Sequence, residues 1–260
     1  GKYGLIDHLT GNTRPANNST ILAAGDDSAI IDNSGMETVV SSDMLMEGIH
    51  FNLVYTPLKH LGYKTVVRGI SDIYAMNGIP GQVIISLGIS SRFLVEDLEE
   101  FYEGVFLGCS RFSVDLAGGD ISSSVTGLAI SVTAVGRTEP GKSVRRSGAR
   151  PNDLICVTGD LGAAYMGLQL LERERKIFES DRNFQPELRG NEYIIGRQLK
   201  PEFPYQIMGL LAEKNILPTS MIDITEGLAS DLLQICKSSG TGCRIFRDRI
   251  PVDSETARMA

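Results

Sequence analysis

Five short acidic motifs punctuate this chain, each at the end of an apolar run. They are Gly25-Asp26-Asp27-Ser28-Ala29, Ser41-Ser42-Asp43, Ser71-Asp72, Gly118-Gly119-Asp120 and Ile222-Asp223-Ile224-Thr225-Glu226-Gly227. A lone Asp at a strand end is usually a cap or a solvated turn residue. Together the motifs supply more carboxylates at element ends than a core needs. Carboxylates gathered in one place repel one another, and a hard divalent cation removes the repulsion. Oxygen-rich donors without cysteine suit Mg²⁺, which usually arrives with phosphates. The expectation is a Mg–nucleotide enzyme.

At 260 residues the chain can bury a substantial core in one or two domains. A formal net charge of −7 argues against a nucleic-acid partner, which would need clustered Lys and Arg. Arg145-Arg146 with Arg150 is the one dense basic stretch, enough for a small phosphate compound. None of the four cysteines forms a C-x-x-C pair, so buried reduced thiols and a cytoplasmic protein are expected. No apolar run approaches the roughly 20 residues of a membrane span, and the start carries no signal-peptide pattern.

Residues 36–42 read as a strand running into Asp43. Tyr63, Val66, Val67, Ile70 and Ile73 repeat at helical spacing, and Asn77-Gly78 with Pro80 stops that helix. Lys64, Arg68 and Asp72 share one of its faces, with Lys64 and Arg68 expected to be solvated. Val83–Leu87 is a strand, Leu94–Cys109 a helix, Val114–Ala117 a short strand, and Leu128–Ala134 a strand with one buried face. Residues 136–152 lack periodicity and mark a domain boundary, giving an N-terminal domain over 1–137 and a C-terminal domain over 138–260. Beyond it, Asp153–Thr158 and Met221–Ile224 read as strands, residues around Tyr165–Leu171 as a helix, and 173–195 as an irregular insertion. A helix from Leu228 ends at Gly240. The fold class is α/β, with helix-covered sheets in both halves.

Gly136-Arg137-Thr138-Glu139-Pro140-Gly141-Lys142-Ser143 satisfies the phosphate-loop pattern G-x-x-x-x-G-K-[ST]. Such a loop works only if a helix starts at its lysine and offers its N-terminal amides to the phosphates. Gly148 and Pro151 follow closely with no apolar periodicity between. The motif is read as a coincidence.

With these motifs in place, the chain resembles the thiamine-monophosphate kinases, a family with the aminoimidazole-ribonucleotide synthetase fold. The family's G-D-D-x-A is Gly25 to Ala29. Its strand-end S-T-D and following G-x-H-F appear as Ser41-Ser42-Asp43 and Gly48-Ile49-His50-Phe51. Its Y-K helix with S-D-x-x-A-M runs from Tyr63-Lys64 through Ser71-Asp72 to Ala75-Met76, and its G-G-D is Gly118 to Asp120. R-S-G-A-x-P-x-D spans Arg146 to Asp153, V-T-G-x-L-G spans Val157 to Gly162, and I-D-[IL]-S-D-G-L spans Ile222 to Leu228.

The resemblance implies phosphorylation of thiamine monophosphate by ATP, with several Mg²⁺ ions. It implies that Asp27, Ser41, Asp43, Asp72, Asp120, Asp223 and Glu226 face the metal. Tyr102, Gly119, Asp120, Arg146 and Thr225 would touch ATP, and His50 the thiamine phosphate. It also implies a homodimer in which the N-terminal sheet pairs with its twin to close a barrel. Taken without it, Asp26 and Asp231 read as structural acids, Asp231 on a helix surface.

Three departures stand out. Thr225-Glu226 replaces the family's Ser-Asp, and Gly69 replaces an Asn. The family's closing G-G-E-D-Y-E-L segment is not among these residues, so the C-terminal domain is expected to be incomplete. The competing readings are a cyclo-ligase or selenophosphate synthetase of the same fold group, or a catalytically silent nucleotide-binding relative.

Overall fold

The computed structural model describes residues 8–9, 14–22 and 30–260; Asp26 and Asp27 lie outside them. The elements run β1 (Thr20–Leu22), β2 (Ile30–Ile31), β3 (Glu37–Met46), α1 (Leu58–Ala75), β4 (Ile79–Ile89), α2 (Val95–Phe112), β5 (Asp115–Ser123) and β6 (Leu128–Thr138). There follow α3 (Ala163–Ser180), α4 (Glu192–Leu199), α5 (Gln206–Glu213), α6 (Leu228–Ser239), a 3₁₀ turn at Arg247–Arg249, and α7 (Ser254–Met259).

The alternation read at Leu128, Ile130, Val132 and Ala134 becomes β6, whose four apolar side chains are buried on one face. It is an inner strand of a four-stranded mixed sheet in the order β3-β6-β4-β5. β6 pairs antiparallel with β3 and β4, while β4 and β5 run parallel, joined by the α2 crossover. Both α1 and α2 cover one face of this sheet, and their apolar stripes enter the core with Val83, Ile85 and Ile130. They approach at backbone distance because a Cβ at Gly104 would lie 1.8 Å from the Lys59 carbonyl oxygen. The other face of β3 exposes Val40 and Met44.

Residues 139–260 depart from the expected sheet. Neither Asp153–Thr158 nor Met221–Ile224 forms a strand, although both sequences suit one. A strand needs a hydrogen-bonded neighbour, and these segments have no ladder; Leu154 is 89% exposed. The second half is instead helical, with Ala163, Leu170 and Ile194 forming a small core between α3 and α4. The polar stretch 173–195 is also more regular than its composition suggested. α3 continues to Ser180 because Arg175 pairs with Glu172 and Glu179 along the helix, and buried Glu174 accepts the Glu187 N–H at 2.9 Å.

The halves meet along α1 and the end of α2. Phe112 stacks on Phe203 with ring centroids 5.3 Å apart, and Tyr63 Oη donates to Glu202 Oε1 at 2.7 Å. Cys109 and Cys236 are buried as expected, whereas Cys156, on the unpaired segment, and Cys243 are exposed. None of the described helices is long and apolar enough to cross a membrane.

Candidate active site

Apolar residues at every second position of β3 would all face the helices, but Ser41 and Asp43 occupy two of those positions. Leu45 on the same face is fully buried, so the strand passes from core to site within two residues. Above them lies α1. Ser41 Oγ donates to the Gly69 carbonyl at 3.0 Å, and Arg68 Nε donates to Asp43 Oδ1 at 3.1 Å. One turn further, Asp72 leaves α1 on the same side as Arg68. The Ile222–Glu226 segment closes the group: Ser71 Oγ donates to Asp223 Oδ2 at 2.7 Å.

Electrostatics bind these acids into one site. The Asp72 carboxyl is pushed up to about 6, first by burial, then by the charges of Asp223 and Asp43, while Arg146 pulls it down. Asp72 also lies within hydrogen-bond reach of Asp223. This is the signature of crowded carboxylates. They come from β3, α1 and the loop before α6, so the chain has converged on one spot from three distant motifs.

A family profile described as "AIR synthase related protein, N-terminal domain" matches residues 25–138. The thiamine-monophosphate kinase of Bacillus subtilis is 32% identical over 259 residues, 99% of this chain and 77% of that protein. The chain belongs to the thiamine-monophosphate kinase family. It spans about three quarters of the length of such relatives. A crystal structure of the kinase from Stenotrophomonas maltophilia superposes with a TM-score of 0.79 at 26% identity, covering 96% of this chain and 75% of that one. AaThiL complexed with AMPPCP and TMP superposes at 0.75 and 29% identity, covering all of this chain and 77% of that one.

Against that family, the structure sorts the expected residues. Ser41, Asp43, Asp72 and Asp223 lie together, with Arg146 close enough to act on Asp72. Asp120 sits exposed on β5, in register with Ser86 of β4 and at the opposite edge of the sheet from β3. Tyr102 is buried in α2, where it lines a cavity with Leu9, Phe106 and Asp115, without the site carboxylates. Its hydroxyl is pushed up to about 12 by burial.

His50 occupies the turn after β3, and its Nδ1 accepts the Met46 N–H at 3.0 Å, which leaves Nε2 to carry the proton of the neutral ring. Thr225 and Glu226 are exposed, and both of their backbone N–H groups donate to Asp231 Oδ2. Asp231 is therefore structural as expected, but buried under the loop rather than on a helix surface.

Two residues expected to be solvated are not. Lys64 Nζ donates to the Gln198 carbonyl at 3.0 Å at the end of α4, and burial lowers its ammonium to about 8. Arg68 is engaged with Asp43. The spacing of Lys64, Arg68 and Asp72 gave their shared face; the β3 partner brought there by the fold is invisible in the sequence.

No helix starts at Lys142. It lies exposed in a turn whose Gly141 has φ +74°, and the next helix begins at Ala163. The phosphate-loop match is a coincidence of text.

Proposed function

We propose that this chain transfers the γ-phosphoryl group of ATP to thiamine monophosphate, giving thiamine diphosphate. The observation that carries the reading is the meeting of Asp43, Asp72 and Asp223, with Asp72 displaced to about 6 by burial and by the charges of the other two. AaThiL holds AMPPCP, an ATP analogue, together with TMP on a backbone that this chain follows along its whole length. A donor and an acceptor that both carry phosphates match a site built from carboxylates and a nearby guanidinium.

The donor set fits Mg²⁺ in a particular way. Among the described residues no three His, Cys, Asp or Glu side chains form a ready-made metal cage. Mg²⁺ seldom needs one: it keeps waters and takes one or two carboxylates plus substrate phosphates. Asp43, Asp72 and Asp223 would hold it, with the lone pairs of Ser41 Oγ beside them. When bound, it neutralises charge on the phosphates during transfer.

The chain's own residues supply the rest. Arg146 offers a planar fork to phosphate oxygens. Gly119 would lie along the nucleotide, as in the family's motif; its missing side chain is required by β4, since a Cβ there would lie 1.9 Å from the Ile85 carbonyl oxygen. Thr225 adds a hydroxyl at the rim, and His50 offers Nε2–H to the acceptor phosphate. That phosphate is largely ionised at neutral pH and needs little help to lose a proton, so no general base is assigned. Rate comes from positioning and charge.

The reading extends to assembly. The open sheet face carries Val40 at 61%, Met44 at 57% and Met46 at 39% exposure, an apolar surface suited to a second copy of the sheet. The division into domains over 1–137 and 138–260 belongs to the same reading; β6 itself runs to Thr138. Incubation of the purified chain with ATP, Mg²⁺ and thiamine monophosphate should yield thiamine diphosphate and ADP. ADP formation that ignores thiamine monophosphate would remove the acceptor from the proposal, and nucleotide binding without turnover would favour the silent relative.

A further inference from the structure

Arg68 stands where a cation is least expected if its site exists to receive one. Its Nε lies 3.1 Å from Asp43 Oδ1, with the two side chains only 26% and 20% exposed. Lys64, one turn earlier on the same face, points elsewhere, to the Gln198 carbonyl. Asp72, one turn later, sits beside Asp223, and the cation that acts on it is Arg146. Arg68 is thus committed to Asp43, the single β3 carboxylate of the group. The pair is intramolecular, half-buried and charge-assisted, which holds a carboxylate oriented and offsets local repulsion.

We propose that Arg68 is a positioning residue that competes with the divalent cation for Asp43. Without metal it keeps the β3 carboxylate oriented and balanced against Asp72 and Asp223. With metal the Asp43 oxygen exchanges a guanidinium for the ion, so the affinity of the site is set partly by how firmly Arg68 holds on. No covalent step is involved. The inference rests on the metal-assisted reading above and deepens it.

The test uses the full chain, stripped with EDTA, in which Mn²⁺ alone is titrated at low ionic strength and free ion is followed by electron paramagnetic resonance. Arg68→Met should bind Mn²⁺ about two- to fivefold more tightly, the range that a partly exposed ion pair is worth. The same variant without metal should melt lower than wild type, because Asp43 has lost its counter-ion. Arg68→Lys, which keeps the charge with a different geometry, should fall between, and serves if Arg68→Met fails to fold. Lys64→Gln removes an equal charge from the same helix face without touching Asp43, and should change affinity less than about twofold. Unchanged or weaker Mn²⁺ binding in Arg68→Met would overturn the proposal, as would an equal gain in Lys64→Gln. If wild type bound no Mn²⁺ yet turned over with MgATP, this proposal alone would fall. Absence of turnover beside the expected Mn²⁺ pattern would sink only the kinase reading.

Discussion

Ser71 and Asp223, 152 residues apart in the chain, share a 2.7 Å hydrogen bond. The serine rides on α1 and the aspartate on the loop before α6, so this bond ties the two halves at the place where the carboxylates meet. Ser71→Ala should lower stability by about 1 kcal/mol, the net worth of such a bond. Turnover should fall further than that loss explains, since Asp223 would no longer be held beside Asp72. Denaturant unfolding read beside steady-state kinetics checks it; full activity with reduced stability would reduce the bond to a simple clamp.

Asp72 and Asp43 should respond in opposite directions to the same substitution. The carboxyl of Asp72 is raised from 3.8 to about 6, so the folded state binds more protons than the unfolded state between those values. Stability contributed by this group therefore falls as pH rises through that window. Asp72→Asn should match wild type near pH 4 and exceed it above pH 6, by about 1 kcal/mol after solvent screening. Asp43→Asn instead strips Arg68 of its partner, and should cost up to about 1 kcal/mol at neutral pH. Both should lose most of their turnover. Melting curves in EDTA from pH 4 to 8 would show the crossing for Asp72→Asn; parallel curves would mean that its carboxyl is not crowded.

The sheet domain was legible because each strand and helix there buries one face against the other. Period-2 alternation at Leu128–Ala134 and helical spacing at Tyr63–Ile73 report that burial directly. Boundaries slipped where apolar periodicity fades: β5 runs six residues past Ala117, through a segment whose exposed positions carry Gly, Asp and Ser. In the second half, Leu154-Ile155 and Ile222 have the composition of strands, but pairing is decided by what lies alongside. The acids of the site were legible as a set, from short acidic motifs that interrupt apolar runs, although Asp43 and Asp72 lie inside β3 and α1 rather than at their ends. Their places in the fold were not: Asp120 follows a register irregularity between β4 and β5 that no local pattern signals.

Lys64 should leave a mark at high pH. Its ammonium falls from 10.5 to about 8 because burial and Arg68 disfavour the charge. Between those values the unfolded state binds more protons, so this group's contribution to stability rises with pH. Relative to Lys64→Met, wild type should gain up to about 3 kcal/mol between pH 7.5 and pH 10.5, taking the full shift as the limit. A constant difference across that range would show that the ammonium is solvated.

Gly69 leaves no room for a side chain: a Cβ there would lie 2.6 Å from Val132 Cγ2. The clash is with a side chain on β6, not with backbone, so it can be relieved from the other side. Gly69→Ala should destabilise by about 1–3 kcal/mol through overpacking. Val132→Ala should restore part of that loss when combined with it, although alone it opens a cavity and destabilises. A double-mutant cycle measures the coupling; strict additivity would mean that α1 shifts away from β6 and the contact is not fixed.

Lys142 and Arg146, four residues apart, separate the two ways this chain could hold a nucleotide. In a phosphate loop the lysine reaches the β- and γ-phosphates, and its loss costs orders of magnitude in rate. Here Lys142 is exposed in a turn, with its backbone N–H donating to the Glu139 carbonyl at 2.9 Å and its own carbonyl accepting from Asn77. Lys142→Ala should change the rate less than about threefold, well under 1 kcal/mol of barrier. Arg146 is held differently: its carbonyl accepts from Ser220 and Ser239, and its charge reaches Asp72. Arg146→Ala should weaken ATP binding roughly tenfold or more, the worth of charge-assisted hydrogen bonds to phosphate. It should also move the Asp72 titration upward, because the one cation that lowers it is gone. Nucleotide calorimetry on both variants decides the matter: a collapse in Lys142→Ala beside an unaffected Arg146→Ala would relocate the phosphates to the Gly136–Ser143 turn.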